Sequence, residues 1–260
     1  MKETLTYPSP IFGPVHSRRL GLSLGINLQP GDGKLCTFDC IYCECGFNAD
    51  KRPRSRRPTR LEVSTSLRAK LEEMRTNGAL PDVLTFAGNG EPTCHPDFPA
   101  IIADTLALRD EFAPLAKVSV LSNSTQIHRE EIRSALLLVD NNILKLDTVD
   151  ESFIRLVDRP VSSHYDVQRI ISNMELFKGQ LIVQTMFMRG MTSSGPVDNT
   201  SDHYVLPWLE ALRRIRPREV MVYTIDRATP APHLEKAPRE ELDRIRSLVE
   251  GLGIPCIASY

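Results

Sequence analysis

Long apolar runs are missing from this sequence. None of its stretches approaches the ~20 consecutive apolar residues that span a bilayer, so no membrane-spanning helix is expected. An excess of charge is also missing. Lys and Arg number 32 against 33 Asp and Glu, a formal net charge of −1, so no global field recruits nucleic acid or an anionic membrane. The opening residues, Met1 to Pro8, have no apolar core of the signal-peptide kind. A cytosolic protein is therefore expected, and that compartment disfavours stable disulfides. Cysteine is absent before position 36 and then arrives in a cluster, so it reads as a metal or redox site.

The cluster is Cys36, Cys40 and Cys43, spaced C-x3-C-x2-C, with Tyr42 directly before the last thiol. Three thiols this close face one point only if the backbone curls around it. Structural zinc takes four ligands, and its cysteines usually come in pairs. Iron–sulfur clusters are also held by thiolates, and a cubane with three protein ligands leaves one iron open. Cys45, Cys94 and Cys256 are scattered and read as small apolar residues.

Residues 1–20 are rich in Pro and Arg and read as an extended lead-in. Alternation from Gly21 to Leu28 reads as a strand that feeds the cysteine loop. The basic run Lys51 to Arg60 holds prolines that forbid a regular helix. It reads either as a phosphate-binding segment or as a solvated loop. From there strands and helices alternate. Helices are expected from Ser64 or Thr65 to Asn77, Asp97 to Glu111, Arg129 to Val139, Tyr165 to Phe177, His203 to Ile215 and Arg239 to Gly251. Strands are expected at 83–87, 117–123, 143–147, 181–187 and 220–225, with a short last one at 254–258.

Six β/α units imply parallel strands, buried on both faces, in an open or partial (β/α)6 barrel. The expected division is a lead-in over 1–20, a core over 21–235, and a C-terminal helix and strand over 236–260. In such sheets the site lies at the C-terminal strand ends. That rule gathers Gly88-Asn89-Gly90-Glu91, Ser122-Asn123, Lys145 with Asp147, Gln184, and Tyr223 to Arg227 on one rim with the cysteine loop. Gly88 and Gly90 allow close backbone approach, and Glu91 offers a carboxylate to a cation. Lys145 in an apolar strand needs a partner, either Asp147 or a ligand carboxylate. Gly190 to Pro196 have a composition suited to a mobile lid, and Arg159, Arg189 and Arg227 are candidate contacts for an anionic substrate.

The C-x3-C-x2-C loop after a first strand, followed by a Gly-Glu segment on the second, resembles the radical SAM superfamily over roughly residues 20–230. The resemblance implies a [4Fe–4S] cluster on Cys36, Cys40 and Cys43, with its fourth iron chelated by S-adenosylmethionine. It implies that Gly88 to Glu91 bind the methionine amino group, with Asn89 as an insertion-like variant, and that Tyr42 lies near adenine. Ser122, Asn123, Lys145 and Gln184 would contact the ribose or the methionine carboxylate. The segment Phe12 to Ile26 is similar to the opening of Fe–S oxidoreductases related to the wyosine-forming tRNA enzymes. Those enzymes carry cysteines ahead of the loop for a second cluster, and here none precedes Cys36. The implied reaction is reductive cleavage of S-adenosylmethionine to a 5′-deoxyadenosyl radical that abstracts hydrogen from a substrate, a nucleic acid or a small metabolite. The implied partner is an electron donor such as flavodoxin or ferredoxin. The alternative is a zinc-dependent RNA-binding protein that uses residues 51–60.

Overall fold

The computed structural model describes residues 4–17 and 21–260. Its main sheet has eight strands in the order β1-β2-β3-β4-β5-β6-β9-β11. Six of them follow chain order as a parallel series: β2 (Gly21–Ile26), β3 (Val83–Phe86), β4 (Lys117–Ser122), β5 (Asn141–Lys145), β6 (Ile182–Met186) and β9 (Glu219–Tyr223). These are the expected strands, and the sheet stays open. Strand β11 (Cys256–Ser259) adds a parallel neighbour to β9. At the other edge β1 (Ile11–Ser17) pairs antiparallel with β2, so part of the supposed lead-in belongs to the sheet. Arg18, Arg19 and Leu20 lie outside the described residues.

Both faces of the sheet are covered, which explains strands such as β3 and β6 in which every residue is buried. Outward side chains, among them Val118, Val120, Leu144, Val183, Val220 and Val222, join the main core with the helices. Alternate residues face the barrel interior. There Ile143, Ile182 and Met221 form a small apolar floor. One period further along the same strands come Lys145, Gln184 and Tyr223.

The helices are α1 (Arg60–Thr76), α2 (Phe98–Phe112), α3 (Glu130–Leu138), α4 (Glu151–Val157), α5 (Val167–Glu175), α6 (Asp202–Ile215) and α7 (Arg239–Glu250). Helix α1 begins earlier than the expected Ser64 or Thr65. Thr59 and Glu62 form a reciprocal capping box there, and Ser64 donates to Leu61 O instead. Asp166 caps α5, so that helix starts after Tyr165. Helix α4 had not been expected; Asp150 caps it by accepting from Phe153 N at 2.7 Å.

The segment expected to be a mobile lid is a hairpin. Strands β7 (Met188–Thr192) and β8 (Gly195–Asp198) pair antiparallel, and β10 (Leu234–Lys236) adds to β7 in a separate three-stranded sheet. Among the described residues no helix is long and apolar enough to cross a membrane.

Candidate functional site

The cysteine loop leaves β2 and winds through successive turns, with Cys43 N bonded to Cys40 O and Gly46 N to Cys43 O. Asn48 tightens it by donating to Cys36 O and Phe38 O. The end of α4 holds it from one side, through Asp39 N to Asp158 O and Ile41 N to Val157 O. From the other side Ala231 N donates to Ile41 O. Cys40 is buried, Cys36 and Cys43 are half-buried, and all the cysteines are free thiols.

Lys34, only 2% exposed, lies under the loop. Its ammonium donates to Gly46 O at 2.7 Å and stands 3.5 Å from Asp39. Burial pulls its pKa down, but Cys43, Cys36, Cys40 and Asp39 outweigh burial, so the ammonium is held above its ordinary value. Cys43 is drawn down to about 6, first by a hydrogen bond from the Cys45 thiol and then by Lys34, against its burial. Cys36 goes the other way, to about 12, through burial and Glu91. Burial and Asp158 likewise push Cys40 up.

The Gly-Glu segment lies directly against this loop. Leu35 N donates to Asn89 O, and Glu91 N donates to Leu35 O. Gly90 has φ +133°, and a Cβ there would come 1.9 Å from Leu35 O, so only glycine permits the approach. Glu91 is buried. Its Oε1 accepts from Thr93 N, Thr93 Oγ1 and Ser122 Oγ, and its Oε2 accepts from Asn123 N at 2.6 Å. Burial raises its pKa, and these donors work against the rise. Ser122 is thereby committed to Glu91. The Asn123 amide reaches Thr37 Oγ1 at 2.8 Å and Cys36 Sγ at 3.5 Å. Asn89 is engaged elsewhere: its side chain holds Tyr7 N, Tyr7 O and Pro30 O, which pins the opening segment to the rim.

The barrel interior ends in a polar network. Lys145 Nζ is 2.8 Å from Tyr42 OH, 3.2 Å from Tyr223 OH and 3.2 Å from the nearer Asp147 oxygen. Asp147 lies just beyond β5 rather than within it, and it also accepts from Met186 N. Tyr42 OH meets Asp147 and, at 2.9 Å, Asp158. One hydroxyl hydrogen cannot serve two carboxylates. Burial and Asp147 hold the Asp158 carboxyl well above its ordinary range. Cys40 Sγ is 3.8 Å from the same Asp158 oxygen. Gln184 is buried and pairs in register with Lys145.

Each of the three arginines has a partner of its own. Arg159 stacks on Phe47, Arg189 pairs with Asp198 and Glu241, and Arg227 holds Tyr7 OH and Glu44. Lys34 and Asp158 were missed as site residues. The position of Lys34, two residues before Cys36, was the available signal; Asp158, distant in sequence, offered none. A cleft of about 640 Å³ lies beside the loop, lined by Gly46, Lys51, Arg227, Ala231, His233 and neighbours.

The donor chemistry fits a thiolate-bound cluster. Three free thiols, soft donors by type, stand on one tight loop near the buried Lys34 ammonium. Among the described residues no three His, Cys, Asp or Glu side chains close on a single ion.

Comparison with known proteins agrees. The profile of the radical SAM superfamily matches residues 32–198. A UPF0026 protein of Helicobacter pylori strain J99 is 32% identical over 248 residues, 93% of this chain and 74% of that protein. The structure of a radical SAM methyltransferase from Sphaerobacter thermophilus superposes with a TM-score of 0.67 at 15% identity, over 92% of this chain and 66% of that one. TYW1, solved with a lysine–pyruvate adduct bound, gives 0.63 at 13% identity, over 88% of this chain and 73% of that one. At such identities the likeness is one of fold. The motif, the open parallel barrel and the sequence match together place this chain in the radical SAM superfamily, as a member of the UPF0026 family.

Proposed function

We propose that this chain is a radical SAM enzyme in which Cys36, Cys40 and Cys43 hold three irons of a [4Fe–4S] cluster and the fourth iron takes S-adenosylmethionine. When bound, this pair supplies reductive cleavage of the sulfonium to a 5′-deoxyadenosyl radical that abstracts hydrogen from the substrate. One observation carries the reading: the three thiols sit on the parallel rim with Gly90–Glu91 bonded backbone to backbone against Leu35.

The residues divide the work. Gly88 and Gly90 let this segment pack directly on Asn27 and Leu35, which sets the backbone that would meet the methionine moiety. Glu91 Oε2 accepts one hydrogen bond against three on Oε1, so it is the oxygen with capacity for the methionine ammonium. Asn123 orients Cys36. Lys145 and Gln184 supply a cation and an amide toward the methionine carboxylate and ribose, and Tyr42 fixes Lys145 while its ring faces the adenine side. The substrate, a small metabolite or part of a nucleic acid, enters the cleft beside Arg227 to His233. The electron comes from a flavodoxin- or ferredoxin-type donor, and the reducing cytoplasm keeps the cysteines free.

Anaerobic reconstitution tests the reading. The expected result is a brown protein with iron and sulfide, whose cluster absorption is lost on replacing Cys36, Cys40 or Cys43 with Ala. Dithionite and S-adenosylmethionine should then yield 5′-deoxyadenosine. Stoichiometric zinc without iron would overturn it in favour of the zinc-dependent RNA-binding alternative. Within the basic run, however, Arg56, Arg57 and Arg60 are already bonded to Glu62, Gln29 and Asp104.

A further inference from the structure

We propose that Lys51, Arg52 and Arg54 form the docking face for a small acidic electron-carrier protein. The inference rests on the cluster reading above and assigns the route by which the electron arrives. Three observations carry it.

The first is position. Lys51 O accepts from Lys34 N at 2.7 Å, and Lys51 N donates to Phe47 O. A Cβ on Gly33 would lie 2.4 Å from Lys51 O and 2.5 Å from Pro53 N. The basic segment is thus fastened by its own backbone to the residues just before Cys36 and just after Cys43. A partner seated on it stands over the cysteine loop.

The second is the availability of charge. Arg56 and Arg60 are bound by carboxylates, and Arg57 by Gln29. Arg52 and Arg54 are exposed, Lys51 is half-buried, and among the described residues none of the three has a side-chain partner. Three acids lie nearby: Asp32 accepts Arg54 N, Ser55 N and the Ser55 hydroxyl, Asp226 lines the same cleft as Lys51 and pairs with Lys236, and exposed Asp50 offsets one of the three cations, which leaves the face net positive.

The third is the contrast with the whole chain, whose formal net charge is −1. A local basic face on a near-neutral protein steers an acidic partner to one spot without attracting polyanions everywhere. The segment carries no aromatic residue between Lys51 and Arg60, so it lacks the stacking platform that single-stranded nucleic acid uses.

The test uses the cluster-loaded protein and an R52E/R54E double variant. Reduced flavodoxin is mixed with each in anaerobic stopped flow, and cluster bleaching is followed. At low ionic strength the variant should reduce about tenfold more slowly, and added salt should narrow the gap. Photoreduced deazaflavin, a small neutral donor, should reduce both proteins at equal rates. Equal rates with flavodoxin would overturn the proposal. So would equal slowing with deazaflavin, which would mean a damaged cluster rather than a lost docking face. If the variant instead loses RNA binding while flavodoxin reduction is unchanged, the face belongs to nucleic acid and the proposal fails. Iron content is measured first: a protein that takes up no cluster overturns the cluster reading, and this inference with it.

Discussion

At the scale of single residues, two positions hold the site together by opposite means. Gly90 acts through what it lacks. Alanine there would meet Leu35 O and adopt a φ that side chains avoid, so Gly90→Ala should cost about 3 kcal/mol or more. Urea unfolding of the cluster-free protein measures this, and the variant should also take up less iron. Lys145 acts through charge. Lys145→Met leaves Asp147, whose side chain is 1% exposed, without its cation. The expected loss is about 3 kcal/mol. Adding Asp147→Asn should recover part of it, and the double-mutant cycle reads the coupling. Cys36, Cys40, Cys43, Gly90 and Lys145 were legible because their types are unusual where they stand. The hydrogen bonding of Glu91 by Thr93, Ser122 and Asn123 was not, since it depends on where three segments meet.

At the scale of elements, α1 shows how a cap sets a boundary. Thr59→Ala should lower stability by about 1 kcal/mol, measured by denaturant unfolding at neutral pH. Glu62, the other half of the box, is held at about 2 by Arg56 first and by Thr59 next. Its folded value lies below the ordinary 4.5, so its contribution is present above that pH and fades as pH falls toward 2. The stability difference between the native chain and Glu62→Gln should shrink over this window; a constant difference would refute the role. The six parallel strands were readable because burial on both faces leaves continuous apolar runs. Strand β1 was not, since Pro10 and Pro14 disguise a strand that uses its edge position to tolerate them. Nor was the β7–β8 hairpin, whose glycines suit a tight turn as well as a loose loop.

At the scale of the whole molecule, the eight-stranded sheet brings groups from every part of the chain to one rim. A ligand that binds the folded form alone stabilises it by mass action. Cluster-loaded protein should therefore melt at a higher temperature than protein stripped by a chelator, and S-adenosylmethionine should add a further rise. Calorimetry under nitrogen checks both; equal melting temperatures would mean that the loop binds nothing in the native state.

Arg227 grips Tyr7 and Glu44 across a sequence separation of 220 residues to the former. That grip closes the opening segment and the cysteine loop against the connection after β9. On a growing chain the loop exists long before Arg227 is made, so its thiols stay uncovered while most of the barrel is still being synthesised. Contacts this remote in sequence close late, after shorter loops have paired. The order of synthesis therefore leaves an interval in which the loop is open to solvent before the clamp is in place.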